Sequence, residues 1–154
     1  MLAILAGCPD RGAGQGSADK KGDPSKMSGK SAIEIVPGKA IGELRLGARL
    51  GDIPKQAKVT GEAGEVDGVF FVLADGRVDD VWIDDLRKLG IEVRFAGRVI
   101  PRDAALGELK AIFGPCEKVE GVKGGAFFNC AAGVTLGCDA EETGSFVQIR
   151  LKRR

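Results

Sequence analysis

The residues with chemistry to offer in this 154-residue chain are four cysteines, a set of aspartates and a few aromatic side chains. Cys8 ends the run Leu5-Ala6-Gly7-Cys8, a thiol preceded by small residues at the close of an apolar stretch. Cys116, Cys130 and Cys138 lie far downstream. Asp79, Asp80, Asp84 and Asp85 bracket the single tryptophan, Trp82. There is no His and no Tyr, so the commonest general acid–base and the commonest metal ligand are missing. The aspartates do not follow a calcium-loop spacing, and strand alternation sends Asp79 and Asp80 to opposite faces. They read as a solvated edge strand kept soluble by charge. The cysteine spacings do not suit zinc, and no thiol has an evident base beside it. The glycine run from Gly121 to Gly125 lacks the context of a phosphate loop. These residues predict a non-enzymatic domain with no metal and no cofactor.

Leu5-Ala6-Gly7-Cys8 resembles, at all four positions, the lipobox of bacterial lipoproteins. That resemblance implies cleavage before Cys8, acylation of its thiol and amine, and attachment to membrane lipid. It places the protein in the bacterial cell envelope, lipid-anchored and facing the periplasm. Stable anchoring takes two membrane signals, which a multiply acylated cysteine supplies. The apolar segment Met1 to Ala6 is shorter than the usual ~7–15 residues and lacks a basic start, so residues 1–7 read as a truncated signal peptide whose true initiator lies upstream.

Charge divides along the chain. Residues 1–31 carry five Lys/Arg against three Asp/Glu, and residues 32–154 carry 18 against 19. A near-neutral domain offers no electrostatic case for nucleic acid. Pro9 to Ser31 is rich in Gly, Ser, Lys and Asp, too polar to offset its ordering entropy. Residues 8–31 are therefore expected to be a lipidated, disordered linker with a reach of about 25 Å. Residues 32–154 are expected to form one globular domain.

Within that domain, Ile33 to Val36 predicts a short strand ended by Pro37-Gly38. Leu50 to Ala57 predicts a short helix, limited by Pro54 to its first turn. Gly61, Gly64 and Gly68 mark a loop. Val69 to Leu73 and Arg77 to Ile83 predict a hairpin around a three-residue loop, Ala74-Asp75-Gly76. Ile91, Val93 and Phe95 alternate with polar residues as a half-buried strand. Ala104 to Phe113 has the best helical spacing, with Asp103 as cap and Gly114-Pro115 as stop. Phe127 to Cys130 and Val134 to Cys138 predict a second hairpin, and Phe146 to Leu151 a last strand.

The two halves echo one another. Leu50-Gly51-Asp52-Ile53 matches Leu106-Gly107-Glu108-Leu109, and Phe70 to Gly76 matches Phe127 to Gly133. This predicts an α+β fold: a tandem duplication of a short helix followed by an antiparallel β-meander, in units of about 41–95 and 99–151, sharing one core. The arrangement resembles the BamE-like and β-lactamase-inhibitor-protein-like groups of envelope lipoproteins and inhibitors. Leu46-Gly47 matches the first two positions of their Leu-Gly-Met-Thr helix entry, with Ala48 and Arg49 in place of the other two. The resemblance covers most of residues 41–151 and implies a non-catalytic binding or assembly role.

In an oxidising compartment disulfides persist. Cys116 follows the second helix and Cys130 ends the strand beneath it, which predicts the pair Cys116–Cys130, with Cys116–Cys138 as the rival. The hairpin register sets Cys130 opposite Val134 and Cys138 opposite Ala126. The same register gives one core face, with Val69, Phe71, Leu73, Val81 and Ile83. The other holds Phe70, Val72, Asp80, Trp82 and Phe127, with Asn129 and Thr135. That second face is either a contact surface built on Phe70, Trp82 and Phe127 or a face covered by another element. Two functions follow: an envelope protein that binds or scaffolds another envelope protein, or an inhibitor or small-ligand-binding domain using the Phe70/Trp82 face.

Overall fold

The computed structural model describes residues 32–120, 123–144 and 146–154. The Leu5–Cys8 motif and the linker lie outside the described residues. The expected α+β arrangement of two helix-plus-meander units is corrected. Among the described residues, strands make up 44% and helical residues 12%, with one α-helix and two sheets. The fold is mostly β.

The larger sheet joins two antiparallel meanders. The first contains β4 (Lys58–Thr60), β5 (Ala63–Val66), β6 (Val69–Ala74) and β7 (Arg77–Ile83). The second contains β10 (Cys116–Lys118), β11 (Ala126–Cys130), β12 (Thr135–Cys138) and β13 (Val147–Lys152). They meet through the antiparallel pair β13–β7, giving the order β10-β11-β12-β13-β7-β6-β5-β4. The smaller sheet has the order β3-β2-β1-β8-β9. It is made from β1 (Ile33–Val36), β2 (Ala40–Ile41), β3 (Leu44–Arg45), β8 (Val93–Phe95) and β9 (Arg98–Ile100). Here β1 and β8 pair in parallel, Ile33 beside Val93. The α-helix, α1, spans Leu106–Phe113.

One face of the large sheet is the core. Alternation places Val66, Val69, Ile83, Ile149, Leu136 and Phe128 in one buried row across six strands. Against that face pack Leu109 and Phe113 of α1 and Ile35, Ile41, Leu44, Val93 and Ile100 of the small sheet. The expected core residues Val69, Phe71, Leu73, Val81 and Ile83 are all buried there.

Local departures from expectation have local causes. The expected helix over Leu50–Ala57 is a single 3-10 turn, Leu50–Asp52, with Ile53 already extended. The Pro54 ring, with no N–H to donate, suits a chain that has left the helix. The loop around Gly61, Gly64 and Gly68 is the hairpin pair β4–β5–β6, turned at Gly61-Glu62 and Asp67-Gly68. The expected three-residue loop is a two-residue turn, Asp75-Gly76, in which both residues have positive φ (52° and 68°). The extra residue sits in a bulge, where the pairing shifts between Val72 and Leu73. The bulge lets both Val78 and Val81 point into the core, which strict alternation forbids. α1 begins at Leu106, and the cap is Glu108, whose Oε2 accepts the Ala105 N–H at 2.8 Å, in place of the expected Asp103. Gly114, at φ 87°, ends it as expected.

The aspartates also need correction. β7 lies between β13 and β6, so Asp79 and Asp80 are not on an edge. Each aspartate has a partner: Asp79 pairs with Arg153 at 3.5 Å, Asp80 with Arg150, and Asp84 accepts from Gln148 Nε2 at 3.2 Å. Asp85 accepts from the Arg87 backbone N–H and Nε, both at 3.0 Å, capping a 3-10 turn over Leu86–Lys88. These hydrogen bonds from Arg87 hold the Asp85 carboxyl below its ordinary range. The native pKa is then lower than the unfolded one. The associated stability is complete above an unfolded value of about 4 and is lost as pH falls through the native value. Asp85→Ala is expected to cost about 1 kcal/mol at pH 7, as cap removal does. It should also flatten the acid limb of a stability–pH curve measured by urea denaturation. A limb of unchanged slope would contradict this account.

Candidate functional site

The outer face of the large sheet carries the aromatic residues singled out in the sequence. Cross-strand pairing lines up one continuous row over all eight strands: Glu117, Asn129, Thr135, Arg150, Trp82, Phe70, Glu65 and Lys58. The aromatic pair sits near the centre of that row. Phe70 and Trp82 are stacked, with ring centroids 5.8 Å apart and planes 21° apart. Both are half-buried. The Arg150 guanidinium lies 5.7 Å from the Trp82 ring, within reach of its π-face.

Arg150 is held in place by Asp80. Its Nε donates to both carboxylate oxygens, at 2.8 and 2.9 Å, and Nη2 completes a bidentate clamp. Asp80 is only 4% exposed. The Asp80 hydrogen bonds raise the Arg150 pKa above an already high ordinary value, so the guanidinium stays charged at any working pH. The result is an aromatic stack edged by a fixed cation, a combination suited to non-covalent recognition.

The structure brings together Phe70 and Trp82 but not Phe127. Phe127 is on the same face, yet β12 and β13 separate it from Trp82. Its ring lies over Gly137, where an added Cβ would come within 2.9 Å of it. The three-aromatic cluster expected from the sequence is therefore a pair plus a separate residue. Arg150 is the site residue that the sequence reading does not single out. The signal was present: Val147, Ile149 and Leu151 alternate with Gln148, Arg150 and Lys152, which turns Arg150 outward. What no local pattern reports is that β13 pairs with β7.

Cys116 and Cys130 form a disulfide. They are directly opposed in the β10–β11 pair. Hydrogen bonds flank them, from Ala131 N–H to Pro115 carbonyl and from Val119 N–H to Phe127 carbonyl. That pattern makes theirs a non-hydrogen-bonded site, where antiparallel backbones approach most closely. Cys138 stands opposite Ala126, as expected, and is buried as a free thiol. Burial pushes its pKa up, which keeps it in the unreactive thiol form. Native protein is expected to show no fast reaction of Cys138 with a disulfide reagent, and full reaction in denaturant. Rapid labelling of the native fold would contradict its placement. Among the described residues no three His, Cys, Asp or Glu side chains cluster to hold a metal ion. Among the described residues, no helix is long and apolar enough to cross a membrane.

Comparison with protein-family models, with curated proteins and with solved structures returns no match. The resemblances to lipoproteins and to the BamE-like and β-lactamase-inhibitor-protein-like groups thus rest on the residues quoted for them.

Proposed function

We propose that this chain is a membrane-anchored envelope lipoprotein whose β domain binds or scaffolds another protein through the Phe70–Trp82–Arg150 face. The observation that carries the recognition role is the stacked pair with its Asp80-clamped guanidinium on an outer sheet face. Anchored recognition centres of this composition, aromatic and arginine, concentrate binding energy in protein interfaces. Leu5-Ala6-Gly7-Cys8 carries the envelope assignment, with acylated Cys8 as the lipid attachment. The second reading, an inhibitor or small-ligand-binding domain, uses the same Phe70/Trp82 face. A pleated face suits a broad protein surface better than a small molecule, which prefers a concave site. Grooves are found elsewhere on the described domain, five of them without Phe70 or Trp82 in their linings.

The test has two arms. Mass spectrometry of the mature N-terminus from the exporting cell should find an acylated Cys8, and an unmodified Cys8 would remove the anchor. Affinity capture from envelope extracts should recover a stoichiometric partner that is lost with Trp82→Ala. Undiminished capture by that variant would remove the face from the interface. Trp82 fluorescence gives an independent check: a blue-shifted signal that no aqueous quencher reaches would rule out an accessible face.

A further inference from the structure

The edge of the small sheet at β9 is built differently from the outer face of the large one. β8 and β9 form a hairpin through the two-residue turn Ala96-Gly97, pairing Phe95 with Arg98, Arg94 with Val99 and Val93 with Ile100. In such a hairpin Phe95 and Arg98 exchange hydrogen bonds, so do Val93 and Ile100, and the pair between them does not. The Arg94 backbone faces β1, its parallel neighbour. The Val99 N–H and carbonyl therefore face away from the sheet, at an edge with no further strand among the described residues. Val99 itself is 51% exposed. Pro101 closes the edge, having no N–H to offer.

Beside this edge runs a groove of about 460 Å³ between β9 and α1. Phe95, Val99, Ile100, Ala111 and Ile112 give it apolar walls, and among the described residues Arg98 is its only charged lining residue. Phe95 is anchored beneath by Phe113, with ring centroids 4.9 Å apart. An exposed apolar strand edge is normally blunted by charge or covered, because it templates pairing with another chain. Here the edge, the apolar groove and the cation coincide.

We propose that β9 is a second docking site, separate from the Phe70–Trp82 face, which takes a short extended acidic peptide segment of a partner protein. The segment adds as a strand to Val99. Its apolar side chain enters the groove between Phe95 and Ile112, and a neighbouring Asp or Glu side chain pairs with Arg98. The single outward N–H and carbonyl pair limits the augmentation to about three residues, so side-chain fit and charge carry the selectivity.

The experiment is a nuclear magnetic resonance titration of the domain with two blocked heptapeptides, one of alternating Glu and Val and one of alternating Lys and Val. The acidic peptide should shift Arg98, Val99 and Ile112 and leave Trp82 and Phe70 unchanged. Val99→Pro removes an N–H that bonds to nothing within the sheet, and it should weaken binding roughly tenfold. Arg98→Glu, at an exposed position that does not threaten folding, should reverse the preference between the two peptides. Equal binding of both peptides by the native domain would overturn the proposal. So would shifts confined to the Phe70–Trp82 face, or an unchanged affinity in Val99→Pro. If that variant instead turns a dimer into a monomer, the occupant of the edge is a second copy of this chain and the peptide assignment fails.

Discussion

Phe71→Ala is expected to lower the stability of this domain by about 3–5 kcal/mol, the usual cost of truncating a fully buried phenylalanine. The Phe71 side chain has no exposed surface and sits on the core face of β6. Its ring lies across Gly64 on β5, its direct cross-strand partner. A Cβ built at Gly64 would come within 2.4 Å of the ring and 2.8 Å of the Lys58 carbonyl oxygen. Gly64 thus supplies the floor on which the ring rests. Gly64→Ala is expected to cost about 1–3 kcal/mol, since neither a packed ring nor a backbone carbonyl can yield cheaply. The two substitutions should couple. Removing the ring relieves one clash and leaves the carbonyl contact, so the double variant should be less destabilised than the sum of the singles by about 1 kcal/mol. Urea denaturation of the four proteins in the cycle measures this. Simple additivity would mean that the ring does not rest on Gly64.

Reduction of Cys116–Cys130, or its replacement by two alanines, should cost about 3 kcal/mol, from the chain entropy of closing a loop of that length. The sequence separation is 14 residues. The bond ties β10, the last strand of the large sheet, to β11. It also fixes the chain just beyond α1, where the Ala132 N–H reaches the Phe113 carbonyl at 3.0 Å. Loosening β10 should therefore also weaken the seat of α1. Denaturation midpoints with and without a reductant measure the first effect. Hydrogen exchange in α1 and β10 measures the second, and unaltered protection in both would argue that the disulfide is ornamental to this edge.

Much of the large sheet could be read from the residues because its logic is local. Alternation assigned Phe71 and Val81 to the core, and the second hairpin register placed Cys138 opposite Ala126. Helical spacing with a Gly114 stop located α1. The small sheet was missed because it depends on non-local pairing, above all β1 beside β8 in parallel. Two-residue strands such as Ala40–Ile41 carry too little pattern to be seen alone. Asp67-Gly68, a strong hairpin signal between Val66 and Val69, was lost among neighbouring glycines. At the site, Phe70 and Trp82 were legible as neighbours because one hairpin joins them. Arg150 was not, since its contact with Asp80 spans 70 residues.

That long separation bears on how the chain reaches its fold. Both sheets are closed by strands distant in sequence: Ile149 beside Ile83 in one, Ile33 beside Val93 in the other. Each such pairing must pay loop-closure entropy before any contact rewards it, which places domains of this kind among slow folders, at about milliseconds to seconds. β13 is the strand that welds the two meanders, and in chain order it follows every other described strand. The large sheet therefore cannot close on a nascent chain until β13 has been made, some 64 residues after β7, and the first meander must wait with the β7 edge unpaired.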